Sequence, residues 1–263
     1  MPRVDPDLTR VVVDLERGLR ELGIPFGIVG ALVPELLLDV PPPYKTNDVD
    51  VAVVVAELED FDLLKDRLAD YGFARARRPL HRLDHRDGGW VDILPFNEAF
   101  ARDGLELEEG VILNMAGFGH VVPNAVRIPI EGGPTLPVAP LPLHVLLKLV
   151  AFSDRAEPKD LAGVLHCLEH YLEDDIRRYG VDHDGDGVPY EYTGAYAVGV
   201  DARPFLDESV SETVEAVLDR FDNPDATVVG VVAREMGRPT VEDEHRLEEI
   251  FKLFRWYRLG TGL

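Results

Sequence analysis

The sequence predicts an α/β (α+β) fold: a mixed sheet with helices packed on it, followed by a mainly helical C-terminal subdomain. Three observations predict it. Roughly the first hundred residues alternate helical and strand patterns, in the order helix, strand, helix, strand, helix. An antiparallel set of short strands follows from Phe73. After Pro142 the apolar positions fall at helical spacing almost throughout. Residues 1–140 are therefore taken as the core and 141–263 as the helical subdomain.

Each element has its local reason. Leu8, Val11, Val12, Leu15, Leu19 and Leu22 recur at helical spacing, so 7–22 is a helix, ended by Gly23 and Pro25. Phe26 to Gly30 is an apolar strand that runs into a small-residue turn, and 31–39 is a second helix. Pro41, Pro42 and Pro43 make a stiff connector that suits neither a helix nor a central strand. Asp48 to Val55 is the second strand, and the amphipathic stretch from Leu58 to Tyr71 is a helix ended by Gly72. Phe73–Arg78 and His81–Arg86 read as paired strands, and Asp87-Gly88-Gly89 turns the chain into a strand over Trp90–Leu94 that Pro95 stops. Short strands are expected near 110–114, 126–130 and 135–139. Leu143–Phe152, Lys159–Tyr171, Glu208–Phe221, Asp225–Met236 and Val241–Tyr257 are the expected helices of the second part.

Composition narrows the function classes. The chain has 263 residues with 46% apolar, enough for a real core. No apolar run is long enough for a transmembrane helix and no signal-like segment is present, so a cytoplasmic protein without membrane partners is expected. The single cysteine, Cys167, excludes an internal disulfide and reads as a buried helical thiol. A net charge of −22 argues against broad nucleic-acid binding, which needs Lys and Arg against phosphate. One basic run stands out: Arg75, Arg77, Arg78, His81, Arg82, His85 and Arg86. It reads either as a phosphate-facing patch or as a solvated hairpin offsetting nearby acids.

The chemistry centres on Lys45-Thr46-Asn47-Asp48-Val49-Asp50. Strand side chains alternate, so Asp48 and Asp50 point the same way. Parallel carboxylates this close repel unless a cation lies between them. Hard oxygen ligands suit Mg²⁺ or Mn²⁺, and Mg²⁺ usually binds one or two carboxylates together with substrate phosphates. Asp92 is the third candidate, because Val91 and Ile93 face the other way and a lone carboxylate amid apolar neighbours needs a partner or a metal. Gly30 lets backbone approach a ligand. Thr46 is placed to orient the acidic loop. Lys148 sits in an apolar helix and either snorkels to solvent or faces a polar cleft as a point charge for a triphosphate.

These pieces together resemble a known family. Gly30-Ala31, Lys45-Thr46-Asn47-Asp48-Val49-Asp50, Val91-Asp92-Ile93, Leu147-Lys148-Leu149-Val150-Ala151 and Arg155-Ala156-Glu157-Pro158-Lys159-Asp160-Leu161 resemble the AbiEii/MenT-like nucleotidyltransferases, of the polymerase-beta-type superfamily. The resemblance spans about residues 20 to 175. It implies a nucleotidyltransferase core in which Asp48, Asp50 and Asp92 bind metal and act in catalysis together with Lys148. It implies that Gly30, Ala31, Thr46, Lys148, Arg155, Lys159 and Asp160 shape the nucleotide site. The implied reaction moves a nucleotide monophosphate from a nucleoside triphosphate to an acceptor hydroxyl on an RNA end or a protein side chain. Several members are toxins, so an antitoxin protein is an implied partner.

Two positions depart from that pattern: Ala31 stands where Ser or Gly is usual, and Tyr44 where Arg is usual. They support a second reading, a catalytically weak nucleotide-binding or partner-docking module. A third is a small-molecule, antibiotic-type nucleotidyltransferase, since an acidic cleft attracts cationic amines. Asp182-His183-Asp184-Gly185-Asp186-Gly187 matches the start of an EF-hand loop, but Thr193 occupies the position of the bidentate Glu. A solvated acidic loop is the preferred reading there, and a partial Ca²⁺ site the alternative.

Overall fold

The computed structural model describes residues 4–43, 46–108, 111–172, 176–180, 187–222, 228–230, 232 and 243–263. The chain divides into two compact units, one of residues 1–37 and 43–140, the other of 38–42 and 141–263.

In the first unit, helix α1 (Pro6–Glu21) buries Leu8, Val11, Val12, Leu15 and Leu19. Strand β1 (Phe26–Val29), helix α2 (Leu32–Leu37), strand β2 (Asp48–Val54) and helix α3 (Leu58–Arg67) follow. The α3 axis tightens into a 3₁₀ turn over Leu68–Tyr71, so the expected single helix is two pieces. Then come β3 (Phe73–Arg75), β4 (Arg82–His85) and β5 (Trp90–Phe96). Helix α4 (Glu98–Asp103), capped by Asn97, leads to the small hairpin β6 (Leu105–Glu108) and β7 (Val111–Leu113). Strands β8 (Val126–Pro129) and β9 (Thr135–Val138) close the unit.

The main sheet is mixed, in the order β3-β4-β5-β2-β1-β9-β8. β2 runs antiparallel to β1 and parallel to β5, and β4 runs antiparallel to β5. The central strands carry apolar side chains at Val49, Val51, Val53, Val91 and Ile93, all fully buried. Pro95 does not stop β5, as the sequence reading expected: it pairs opposite Val53 inside the strand. The Ile93 amide donates to His81 O on the β4 side, and the Pro95 nitrogen, two residues on, faces that same side. The β4 pairing ends at Arg82, so no ladder bond is lost there.

The second unit is built from α5 (Leu141–Arg155), α6 (Pro158–His170), the short α7 (Arg177–Gly180), α8 (Thr193–Ala202), α9 (Glu208–Asp222) and α10 (Asp243–Thr261). Helix α8 escaped the sequence reading, because its apolar residues lie all round and leave no stripe. Small residues let it meet α10 closely. A Cβ on Gly199 would strike Tyr257 O, and one on Gly260 would strike Tyr196 O. Most of the expected helix Asp225–Met236, and the EF-hand-like residues Asp182 to Asp186, lie outside the described residues. Cys167 is buried on α6, and burial pushes its thiol up to about 12, far from a reactive thiolate.

Candidate active site

The sheet register assembles the acidic residues. Asp48 and Asp50 open β2 and share a face; Asp50 pairs directly with Asp92 on β5 and with Val29 on β1. The three carboxylates each offer an oxygen lying within 4.8 Å of the others. This is the one such acidic grouping among the described residues. The neighbours that alternate with them, Val49, Val51, Val91 and Ile93, are wholly buried, which fixes which face the carboxylates occupy.

Local bonds orient the set. Thr46 Oγ1 donates to Asp48 Oδ1 at 2.5 Å and to Asp48 O at 3.3 Å. Gly30 has φ of 71°, in the left-handed region. A Cβ there would run into the Asp50 carboxylate, with Asp50 Cγ only 2.6 Å away. Glycine is thus needed twice at this turn, for its φ and for the space. The ligand-like group that its backbone approaches is the Asp50 side chain. Ala31 follows, half-buried.

Arg82 is the residue that the sequence reading did not single out. Its Nε donates to Asp92 Oδ1 at 2.8 Å and its Nη2 to Asp92 Oδ2 at 2.7 Å, a two-pronged pair. Its guanidinium lies 4.8 Å above the Trp90 ring. The Asp92 bond holds the Arg82 pKa above its ordinary value; burial opposes this, and the charges of Asp92, Asp48 and Asp50 add to it. A signal for Arg82 was present. The Asp87-Gly88-Gly89 turn sets a register in which Arg82 faces Asp92, a cross-strand pair of opposite charge.

The basic run does not form one patch. Arg75 is bound by Asp62 and Asp66. His85 Nε2 lies 3.2 Å from Asp14 Oδ2, and Arg86 donates to the same oxygen at 3.1 Å. Arg77 is exposed. Strand alternation sends Arg75, Arg82, His85 and Arg86 to different acids, and of these Arg82 is the one bound to the acidic site.

In the second unit, Asp160 is fully buried and receives Lys148 Nζ at 3.1 Å, Arg155 Nε at 2.7 Å and Arg155 Nη2 at 2.7 Å. Burial alone would raise the Asp160 pKa, but Arg155 and Lys148 overcome it and hold the carboxyl below its ordinary value. Lys148, Arg155 and Asp160 therefore form one ionic cluster. Lys159 stands apart, 67% exposed and paired with Glu157 at 2.9 Å. His144, wholly buried one turn before Lys148, has its Nε2 without a hydrogen-bond partner. Tyr44 and Lys45 lie outside the described residues.

No protein-family model matches the chain, and no curated protein matches it. Several solved structures are similar to it. An antigenic nucleotidyltransferase-like protein from Paracoccidioides brasiliensis is 14% identical over 86% of this chain and 94% of that one, with a TM-score of 0.46. The antibiotic-resistance factor ANT(2'')-Ia is 14% identical over 84% and 96%, with a TM-score of 0.40. The CdnE cyclic dinucleotide synthase of Elizabethkingia meningoseptica, solved with GTP and Apcpp, is 12% identical over 100% and 96%, with a TM-score of 0.32. The site geometry, not these likenesses, carries the functional reading.

Proposed function

We propose that the chain is a divalent-metal-dependent nucleotidyltransferase of the AbiEii/MenT-like kind, moving a nucleotide monophosphate from a nucleoside triphosphate to an acceptor hydroxyl. The observation that carries this reading is the convergence of Asp48, Asp50 and Asp92 on one face of the two central strands, oxygens within 4.8 Å. The donor set fits the ion: hard carboxylate oxygens from adjacent parallel strands, one of them held by a threonine hydroxyl. Asp48, Asp50 and Asp92 would hold Mg²⁺ or Mn²⁺, which when bound neutralises phosphate charge and acidifies an attacking hydroxyl.

The chain's own groups then have separate tasks. Thr46 fixes the Asp48 carboxylate, and Gly30 leaves room for that of Asp50. Each Asp92 oxygen accepts one bond from Arg82 and keeps a second lone pair, so Asp92 can still take the acceptor proton. In that step the acceptor oxygen bonds to the α-phosphorus, the bond to pyrophosphate breaks, and the proton passes to the Asp92 carboxylate. Lys148 enters as the candidate triphosphate contact, and Arg155, Lys159 and Asp160 as residues shaping the wall of the nucleotide cleft, the last three on the sequence resemblance alone.

The acceptor class is an RNA end, a protein side chain or a small molecule, and an antitoxin partner belongs to the first two. A second reading, nucleotide binding without turnover, draws on Ala31 and on the engagement of both Asp92 oxygens by Arg82. Pyrophosphate release with Mg²⁺ and each nucleoside triphosphate, with and without transfer RNA, separates the two. Release that disappears in an Asp48→Asn, Asp50→Asn variant supports transfer. Nucleotide binding without release under every condition sinks it in favour of the binding module.

A further inference from the structure

We infer that Arg82 is a built-in competitor of the divalent cation at Asp92: a positioning residue that supplies there the positive charge a second metal would otherwise bring. The inference rests on the reading of the acidic triad as a metal site. The Arg82 guanidinium sits against one of the three carboxylates, offsetting part of the negative charge that a divalent ion would balance. The pairing is geometrically strong. Two parallel N–H···O bonds of 2.8 and 2.7 Å lock the plane of the Asp92 carboxylate and direct its remaining lone pairs. The guanidinium is itself held, stacked at 4.8 Å on Trp90, which pairs in register with Asp48. It also feels the charges of Asp48 and Asp50 directly.

None of the neighbouring cations whose bonds are described serves the triad. Arg75 belongs to Asp62 and Asp66, Arg86 to Asp14 and Asp87, and Lys65 to Asp62. Arg82 therefore sets how the site loads. A cation is drawn first to Asp48 and Asp50, and reaches Asp92 only against the repulsion of the guanidinium.

The test is Mn²⁺ binding to the full chain, followed by electron paramagnetic resonance of the free ion. Wild type, Arg82→Met, Asp92→Asn and the double variant form a cycle, with Arg82→Gln as a second neutral variant that keeps a hydrogen bond to Asp92. Both neutral variants are expected to bind Mn²⁺ about tenfold tighter than wild type, because a like charge beside the site is removed. Most of the gain should be lost when Asp92 is also Asn, leaving only the smaller part that reflects the guanidinium charge acting on Asp48 and Asp50. A merely structural Arg82 would weaken binding when lost, never strengthen it. Equal or weaker binding by folded Arg82→Met and Arg82→Gln, or a gain undiminished by Asp92→Asn, overturns the inference while leaving the metal site intact. No Mn²⁺ bound by wild type or by any variant overturns the metal reading itself, and the inference with it.

Discussion

Gly30→Ala tests the site where backbone and carboxylate meet. The turn holds Gly30 at φ 71°, and Gly23, at the end of α1, has the same φ of 71°. An alanine at either place suffers the same left-handed strain, about 1–2 kcal/mol. The two differ in surroundings. A Cβ at Gly23 meets nothing within 4 Å, whereas one at Gly30 lies 2.6 Å from Asp50 Cγ and 2.7 Å from Asp50 Cβ. The Asp50 side chain must move, at about 1 kcal/mol for an off-rotamer χ. That movement takes one carboxylate out of the triad. Gly23→Ala should therefore lower the unfolding midpoint by a few degrees, about 2–4 °C per kcal/mol, and leave Mn²⁺ binding unchanged. Gly30→Ala should fall somewhat further and lose Mn²⁺ affinity at least about tenfold, the scale seen when a metal ligand's support is disturbed. The chain has two tryptophans, Trp90 in the first unit and Trp256 in the second. A Trp256→Phe background thus leaves Trp90 fluorescence as the reporter of the unit that carries the change. Equal Mn²⁺ affinities in the two alanine variants would refute the argument that Gly30 makes room for Asp50.

The other expectations concern charge. Asp48→Asn keeps an acceptor for Thr46 and removes one charge from a repelling set, so metal-free stability should hold or rise by up to about 1 kcal/mol while Mn²⁺ binding weakens; a large fall in the melting midpoint would contradict it. Asp160→Asn removes the charge that Lys148 and Arg155 face, and should cost about 2–4 kcal/mol by urea denaturation, less than a wholly buried pair because the Arg155 side chain is 44% exposed and can rehydrate. Adding Lys148→Met should recover part of that loss, and a strictly additive double variant would speak against the pairing. Burial, helped by the Lys148 charge and opposed by Asp160, lowers the His144 pKa from 6.5 to about 3. The unfolded chain then binds a proton that the folded chain refuses. This stability is complete above pH 6.5 and is lost as pH falls toward 3, by about 1.4 kcal/mol per unit. The pairs around Asp160, whose pKa is lowered from 3.8, add their loss only below that value. His144→Leu should flatten the profile between pH 6 and 4, and an unchanged slope there would remove His144 as its cause.

Much of this protein was decided by local pattern. The α1 stripe, the Val-rich strand after Asp48, the Gly72 stop and the hairpin at Asp87-Gly88-Gly89 each follow from short-range sterics and hydrophobic period, and each forms where the sequence places it. The shared direction of Asp48 and Asp50 was equally local, since period two in a strand needs no tertiary information. Other features depended on what packs against what. That Asp92 stands opposite Asp50 depends on the parallel pairing of β5 with β2, a contact across some forty residues that no window of sequence contains. Pro95 stays inside β5 because β4 is too short to need its missing N–H. Helix α8 exists because α10 covers it through glycines at the crossing, not because of a stripe of its own. The basic run read as one feature from Arg75 to Arg86, yet Arg75, Arg82, His85 and Arg86 are divided among Asp62, Asp66, Asp92 and Asp14. Sequence determines which charges exist and which way a strand turns them. Only the folded sheet decides which opposite charge each one meets, because Coulomb attraction at hydrogen-bond range depends on distances that the register sets.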